Sequence, residues 1–235
     1  MEGNYQTRAI PVVQERDTEQ ATFIRKTYMH VALAVLLFVL VETLFLNTPF
    51  IVNAGIAMIT GGWTFLLVMI AFMFAINYLE GWAMQSANKQ QQYLALIGVV
   101  MLEAFIFVPL IYIAIAQTGS LEVVNQAALM TLFLFSGLTA VVFITGKDFS
   151  FLRSMVTMGI FIALGLIVAG MIFGFNLGLW FSVAMIGLTA AAILYQTSSM
   201  MLHCHKEQYV GASIGLFASL MTMFWYVLQI FMSGD

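Results

Sequence analysis

The side chains able to do chemistry in this sequence are few, and most lie inside apolar stretches. Glu103 lies within Tyr93–Ala116, Glu42 within Thr27–Leu46, Gln196 within Leu177–Leu202 and Ser219 within Val210–Phe231. A charge in an apolar helix is costly, so each such acid is a functional candidate by default. Glu103 stands about ten residues into its stretch, roughly 15 Å as helix, with no Lys or Arg at matching depth. It is therefore carried neutral against a neighbouring helix, or it faces a hydrated cavity, a proton path or a bound cation. Glu42 lies near the far end of its stretch and has the same alternatives. Glu80 and Glu122 fall near stretch ends, where both read as interfacial.

Gln196 and Ser219 flank the polar link His203-Cys204-His205-Lys206-Glu207-Gln208. At 1.5 Å per residue they stand roughly 10 and 17 Å from that link, within reach of each other across a helical hairpin. They or their neighbours are expected to share a hydrogen bond or a water. Neither can titrate, and neither offers the anionic oxygen that a calcium ion prefers.

Other patterns suggest chemistry and fail on context. His203 and His205 flank Cys204, but neighbouring residues point to different faces, so the trio does not converge on a metal. Gly211-Ala212-Ser213-Ile214-Gly215 matches G-x-S-x-G, yet it opens an apolar helix, and no acid is placed to orient a base beside Ser213. A retinal Schiff base would need a lysine deep in a helix, and there is none. The residues point to no enzyme, no metal and no cofactor.

The elements that must position these residues follow from composition. Of 235 residues 62% are hydrophobic and 8% charged, against roughly 25% charged in a soluble domain. The fold class is thus an all-α integral membrane protein, because lipid leaves unpaired backbone groups no partner. Seven stretches reach the roughly 20 residues that a membrane helix needs: the four above and Trp63–Ala83, Val123–Thr145 and Phe151–Phe173. Pro49–Gly62 reads as a loop or a longer start to the second helix. Residues 1–23 form a polar, flexible tail, and 24–235 one seven-helix domain.

The basic residues test the count. Arg8, Arg16, Arg25 and Lys26 precede the first helix, Lys89 lies in the 2–3 link, Lys147 and Arg153 flank the 4–5 link and Lys206 is in the 6–7 link. All eight fall on one side of an alternating seven-helix chain, which puts the N-terminus in the cytoplasm and the C-terminus outside. A net charge of −3 gives no sign of a nucleic-acid partner. Gly170 and Gly174 have the spacing that lets membrane helices approach closely, here as ordinary bundle packing.

Several motifs resemble those of the Bax inhibitor-1 family. Thr145-Gly146-Lys147-Asp148-Phe149-Ser150 is similar to its threonine-lysine-aspartate-phenylalanine/leucine-serine link. Leu194-Tyr195-Gln196-Thr197-Ser198 looks like its sixth-helix signature, and Leu216-Phe217-Ala218-Ser219-Leu220 like its seventh. Phe105 to Pro109 and Phe23-Ile24-Arg25-Lys26-Thr27-Tyr28 fit its third helix and its approach to the first. The nearest likeness is to the bacterial branch that includes YccA.

The resemblance implies a bundle whose last helix is enclosed by the other six, in a bacterial inner membrane. It implies two activities: a pH-sensitive calcium leak gated by acids in helices 6 and 7, or modulation of the membrane AAA protease FtsH, which grips the N-terminal tail. In that tail Arg8, Arg16 and Glu19 are the candidate contacts. This chain departs from the channel pattern where Gln196 and Ser219 replace the two acids. Glu103 is a substitute carboxylate at similar depth, which keeps a calcium or proton path in view.

Overall fold

The computed structural model describes the backbone of residues 12–233 and the side chains from residue 19 onward. Among the described residues there are helices and no strands. They are α1 (Val12–Leu46), α2 (Pro49–Thr60), α3 (Trp63–Gln85), α4 (Lys89–Thr118), α5 (Glu122–Thr145), α6 (Leu152–Phe173), α7 (Gly178–His203) and α8 (Tyr209–Ser233). One 3-10 turn, Lys206–Gln208, leads into α8. Seven of the helices are long and apolar enough to cross a membrane; α2 is the short one.

Three boundaries differ from the sequence expectation. The helix containing the first apolar stretch begins at Val12, well before Thr27, so the later part of the expected tail is helical. Its Glu, Gln and Arg residues favour helix although they are too polar for lipid. At 35 residues α1 spans about 52 Å, so its first turns extend beyond a hydrocarbon core of about 30 Å. Next, Pro49–Thr60 is neither loop nor extension but a separate helix, with Pro49 at its first position, where a missing N–H costs nothing. Finally, α4 starts at Lys89 instead of Tyr93, because the Asn88 side chain accepts from the Gln90 N–H and caps it.

Helix α8 packs against α1, α3, α4, α5 and α7. It is central, as the resemblance implied, but its enclosure is less complete: α6 packs mainly on α7, on the outside of the bundle. Helix α4 is as deeply buried as α8. Its Phe107 ring stacks on Phe224 at 5.4 Å and meets the edges of Phe38 and Trp225 at 5.5 and 5.3 Å. This aromatic layer ties α1, α4 and α8 together. Gly170 and Gly174 do not bring two helices together. Gly174, at φ +72, ends α6, and a side chain at Gly170 would meet the Phe175 carbonyl 3.0 Å away in the chain's own turn.

The segments bearing lysine and arginine meet at one end of the bundle, hereafter the basic end. Gln208 Nε2 donates to the Met84 carbonyl at 3.0 Å, and Gln92 Nε2 to the Ser86 carbonyl at 2.7 Å. Lys89 pairs with Glu207 at 3.2 Å, and Lys206 with Glu19 at 2.8 Å. Gln20 Nε2 donates to the Met201 carbonyl at 2.9 Å, holding the start of α1 against the end of α7.

Candidate functional site

Three consecutive residues of α7 each engage a different neighbour. Successive helical residues are turned by about 100°, so Gln196, Thr197 and Ser198 face different elements. Gln196 Oε1 accepts a 2.9 Å hydrogen bond from Ser219 Oγ on α8, joining the two residues that the hairpin spacing brought within reach. Ser219 stands ten residues into α8 and Gln196 seven from the end of α7, so both lie about 10–15 Å inside the basic end. The bond joins a neutral amide to a neutral hydroxyl, and neither group exchanges a proton in the physiological range.

The fully buried Thr197 shares a 3.2 Å hydrogen bond with Tyr28 Oη of α1, which also donates to Thr139 of α5 at 3.5 Å. Ser198 is equally buried and organises the α5–α6 link. Its Oγ accepts from the Phe149 N–H at 2.9 Å and donates to the Lys147 carbonyl at 3.4 Å. In the same link Asp148 Oδ1 accepts from the Ser150 N–H at 2.8 Å. Hydrogen bonds from Ser150, with smaller help from the charge of His203 and from Ser198, hold the exposed Asp148 carboxyl below the usual carboxylate range. Residue patterns far apart in the chain thus meet in one place. The part of Tyr28 was not anticipated, although it sits in the stretch Phe23–Tyr28 that carried the resemblance.

Closer to the basic end, both ring nitrogens of His30 are engaged. Nδ1 bonds the Lys26 carbonyl at 2.7 Å and Nε2 the Tyr93 hydroxyl at 3.0 Å. The Tyr209 ring lies under the ammonium groups of Lys89, at 4.0 Å, and Lys26, at 5.1 Å. His203, Cys204 and His205 lie where α7 gives way to extended backbone. No group of three or more metal-ligating side chains is gathered among the described residues. Ser213 donates back to the Val210 carbonyl at 2.6 Å.

The buried acids are scattered. Glu103 is 5% exposed near the middle of α4 and makes no hydrogen bond to Gln196 or Ser219. Glu42 on α1 is also 5% exposed, and neither carboxylate oxygen has a partner among the described residues. Helices α1 and α4 run parallel, since His30 meets Tyr93 and Phe38 meets Phe107. Glu103 is one turn before Phe107 and Glu42 one turn beyond Phe38, so the aromatic layer lies between them. Of the tail residues, Arg8 lies outside the described residues, Arg16 is on α1 with its side chain undescribed, and Glu19 pairs with Lys206. Glu122 stays at the start of α5, accepting from Gln126 at 3.2 Å. Glu80, expected at the interface, is partly exposed there, and its carboxylate also lies against α8: a side chain added to Gly215 would run into it.

Two comparisons bear on this arrangement. A family model described as "Inhibitor of apoptosis-promoting Bax1" matches residues 20–235. The uncharacterized protein PA2604 of Pseudomonas aeruginosa is 37% identical over 121 residues, a span covering 51% of this chain and 53% of that relative. The match thus takes in about half the length of each.

Proposed function

Because the chain belongs to the Bax inhibitor-1 family, we propose that it is a binding and regulatory membrane protein, a modulator and slow substrate of an FtsH-type AAA protease in a bacterial inner membrane. In this reading the N-terminus is cytoplasmic, the C-terminus is outside and the chain acts by association, not catalysis. The observation that carries the reading is the 2.9 Å bond between Ser219 and Gln196. Where the channel pattern has two acids, this bundle has two neutral groups that satisfy each other, so neither residue of the pair takes up a proton itself. The handle for the protease is the polar segment before the membrane, residues 1–23. Part of it is the start of α1, and Glu19 and Gln20 dock it on the α7–α8 link and the end of α7. The test is affinity capture from solubilised membranes using the full chain and a form lacking residues 1–23. The full chain is expected to bring down the protease and the shortened form to lose it. Capture of the protease by neither form would end the regulatory reading, and an equal yield from both would remove the tail from it.

A second reading rests on Glu42, whose buried carboxylate has no partner among the described residues. A cation or proton leak through Glu103 and Glu42, with Gln196 and Ser219 beside the path, would give both acids a use. In reconstituted liposomes this reading expects calcium or proton flux that Glu103→Gln abolishes. Absence of flux throughout about pH 5 to pH 8, the range in which a perturbed carboxyl titrates, would exclude it.

A further inference from the structure

The surface of α8 that faces α3 has two gaps where side chains are missing. A methyl group at Gly211 would come within 2.8 Å of Met84 Sδ. One turn further, a methyl group at Gly215 would overlap Glu80 Oε1 and lie 3.1 Å from Glu80 Cδ. Glu80 and Met84 are four residues apart on α3, so one face of α3 fits two successive notches in the central helix. The next residue along that line of α8 is Ser219, the partner of Gln196. A carboxyl group therefore does reach α8 beside the neutral pair, supplied by α3 instead of by α7 or α8.

The surroundings decide what this carboxyl can do. Helix α3 packs against α2, α4, α8 and the 3-10 turn. Helix α2 has no ionisable side chain. On α8 the nearest are Tyr209 and Tyr226, six residues before Gly215 and eleven after it. On α4, Gly98 lies against Leu79, and the nearest ionisable groups are Tyr93 and Glu103, five residues to either side. At the basic end, Lys206 bonds Glu19, and Glu207 pairs with Lys89. His203 and His205 flank Cys204 in the link. The half-buried Cys204 thiol is pushed up by its burial and by the charge of Glu80, which puts Cys204 in electrical contact with that carboxyl. No cation is paired with Glu80 among the described residues, and at Gly215 the carboxylate lies against a residue with no side chain.

We propose that Glu80 is a proton-binding site coupling α3 to the central helix: the neutral acid seats at Gly215, and the ionised carboxylate leaves the notch. The proton goes to water at the basic end, five residues away along α3. Loss of the seat separates α3 from α8 one turn from Ser219, so proton binding reaches the Gln196–Ser219 contact although neither residue titrates. This inference stands apart from the protease reading and from the Glu103 path, and it survives the failure of either.

The experiment uses the full chain in liposomes with Cys204→Ser, Met84→Cys and Gly211→Cys, and reads disulfide formation between α3 and α8. Its reference is the same chain carrying Glu80→Gln, a permanently neutral seat, which cancels the pH dependence of the thiols themselves. The yield relative to that reference is expected to fall severalfold between about pH 5 and about pH 8 as the carboxyl passes from neutral to ionised. A constant ratio overturns the proposal. Infrared difference spectra of the otherwise unaltered chain supply a second measurement should the cysteine pair prevent folding. A carboxylic-acid carbonyl band that disappears over this range and is missing in Glu80→Gln supports the site, and a band set unchanged by Glu80→Gln overturns it.

Discussion

Ser219 gives its one hydroxyl proton to Gln196 Oε1 across 2.9 Å, and the two substitutions that break this bond are not equivalent. Ser219→Ala leaves the amide oxygen without its donor, at a cost of about 1 kcal/mol, on the scale of hydrogen bonds in membrane bundles. The double change Gln196→Leu with Ser219→Ala removes donor and acceptor together and is expected to cost less than the two single changes added. Unfolding of the four proteins in detergent, compared as a double-mutant cycle, measures the difference. Additive effects would show that the bond contributes nothing. This pair could be read from the sequence because depth follows from counting along two helices joined by a short link. Glu80 could not be read that way. Counting places it near a helix end, but whether it turns to water or inward depends on Gly215, a residue of another helix. The same limit hid Tyr28, whose partners Thr139 and Thr197 come from α5 and α7.

Among the elements, the α5–α6 link depends most on single side chains. It has no regular structure between Gly146 and Phe149, and its backbone is held by Ser198 from α7 and by Asp148 from within. The folded Asp148 carboxyl lies below its unfolded value. Its contribution is therefore complete above the unfolded value, near pH 4, and is lost as pH falls through the lower folded value. Backbone amides of the link should keep their hydrogen-exchange protection at neutral pH and lose it in stronger acid. Asp148→Ala should show the acid behaviour at neutral pH, and equal protection in the variant would rule out this role. The motif was visible in the sequence, and its partner Ser198 belongs to the motif Leu194–Ser198, but nothing in either stretch says that they touch. Similar reasoning explains α2. Its apolar residues fit a loop or a helix extension, and what makes it a separate helix is packing on α4, where a side chain at Gly55 would come within 3.0 Å of the Pro109 ring.

For the molecule as a whole, the bilayer changes what burial is worth. An apolar side chain leaving lipid for the bundle interior gains little from transfer, since lipid is as apolar as the interior; association rests on packing and on interhelical hydrogen bonds. Composition and the one-sided distribution of basic residues made seven spanning helices legible, because both follow from the solvent. Composition gives no order of packing, but Glu103 separates the apolar stretch of α4 from that of α6, which holds no acid, and α4 is central and α6 peripheral. Two phenylalanines separate the contributions. Phe161 on α6 is 70% exposed on the bundle surface, whereas Phe107 on α4 is 1% exposed and meets three aromatic rings. Phe161→Ala exchanges contacts with lipid for contacts with lipid, and its effect should fall within about 0.5 kcal/mol of zero. Phe107→Ala opens a cavity between α1, α4 and α8 that the neighbouring rings cannot fill, at a cost of roughly 2–4 kcal/mol, mostly lost dispersion contact. Reversible unfolding in mixed detergent and lipid compares the two directly. Equal destabilisation would mean that transfer from water still dominates, and the aromatic layer would then be ordinary filling instead of the joint on which α8 is held.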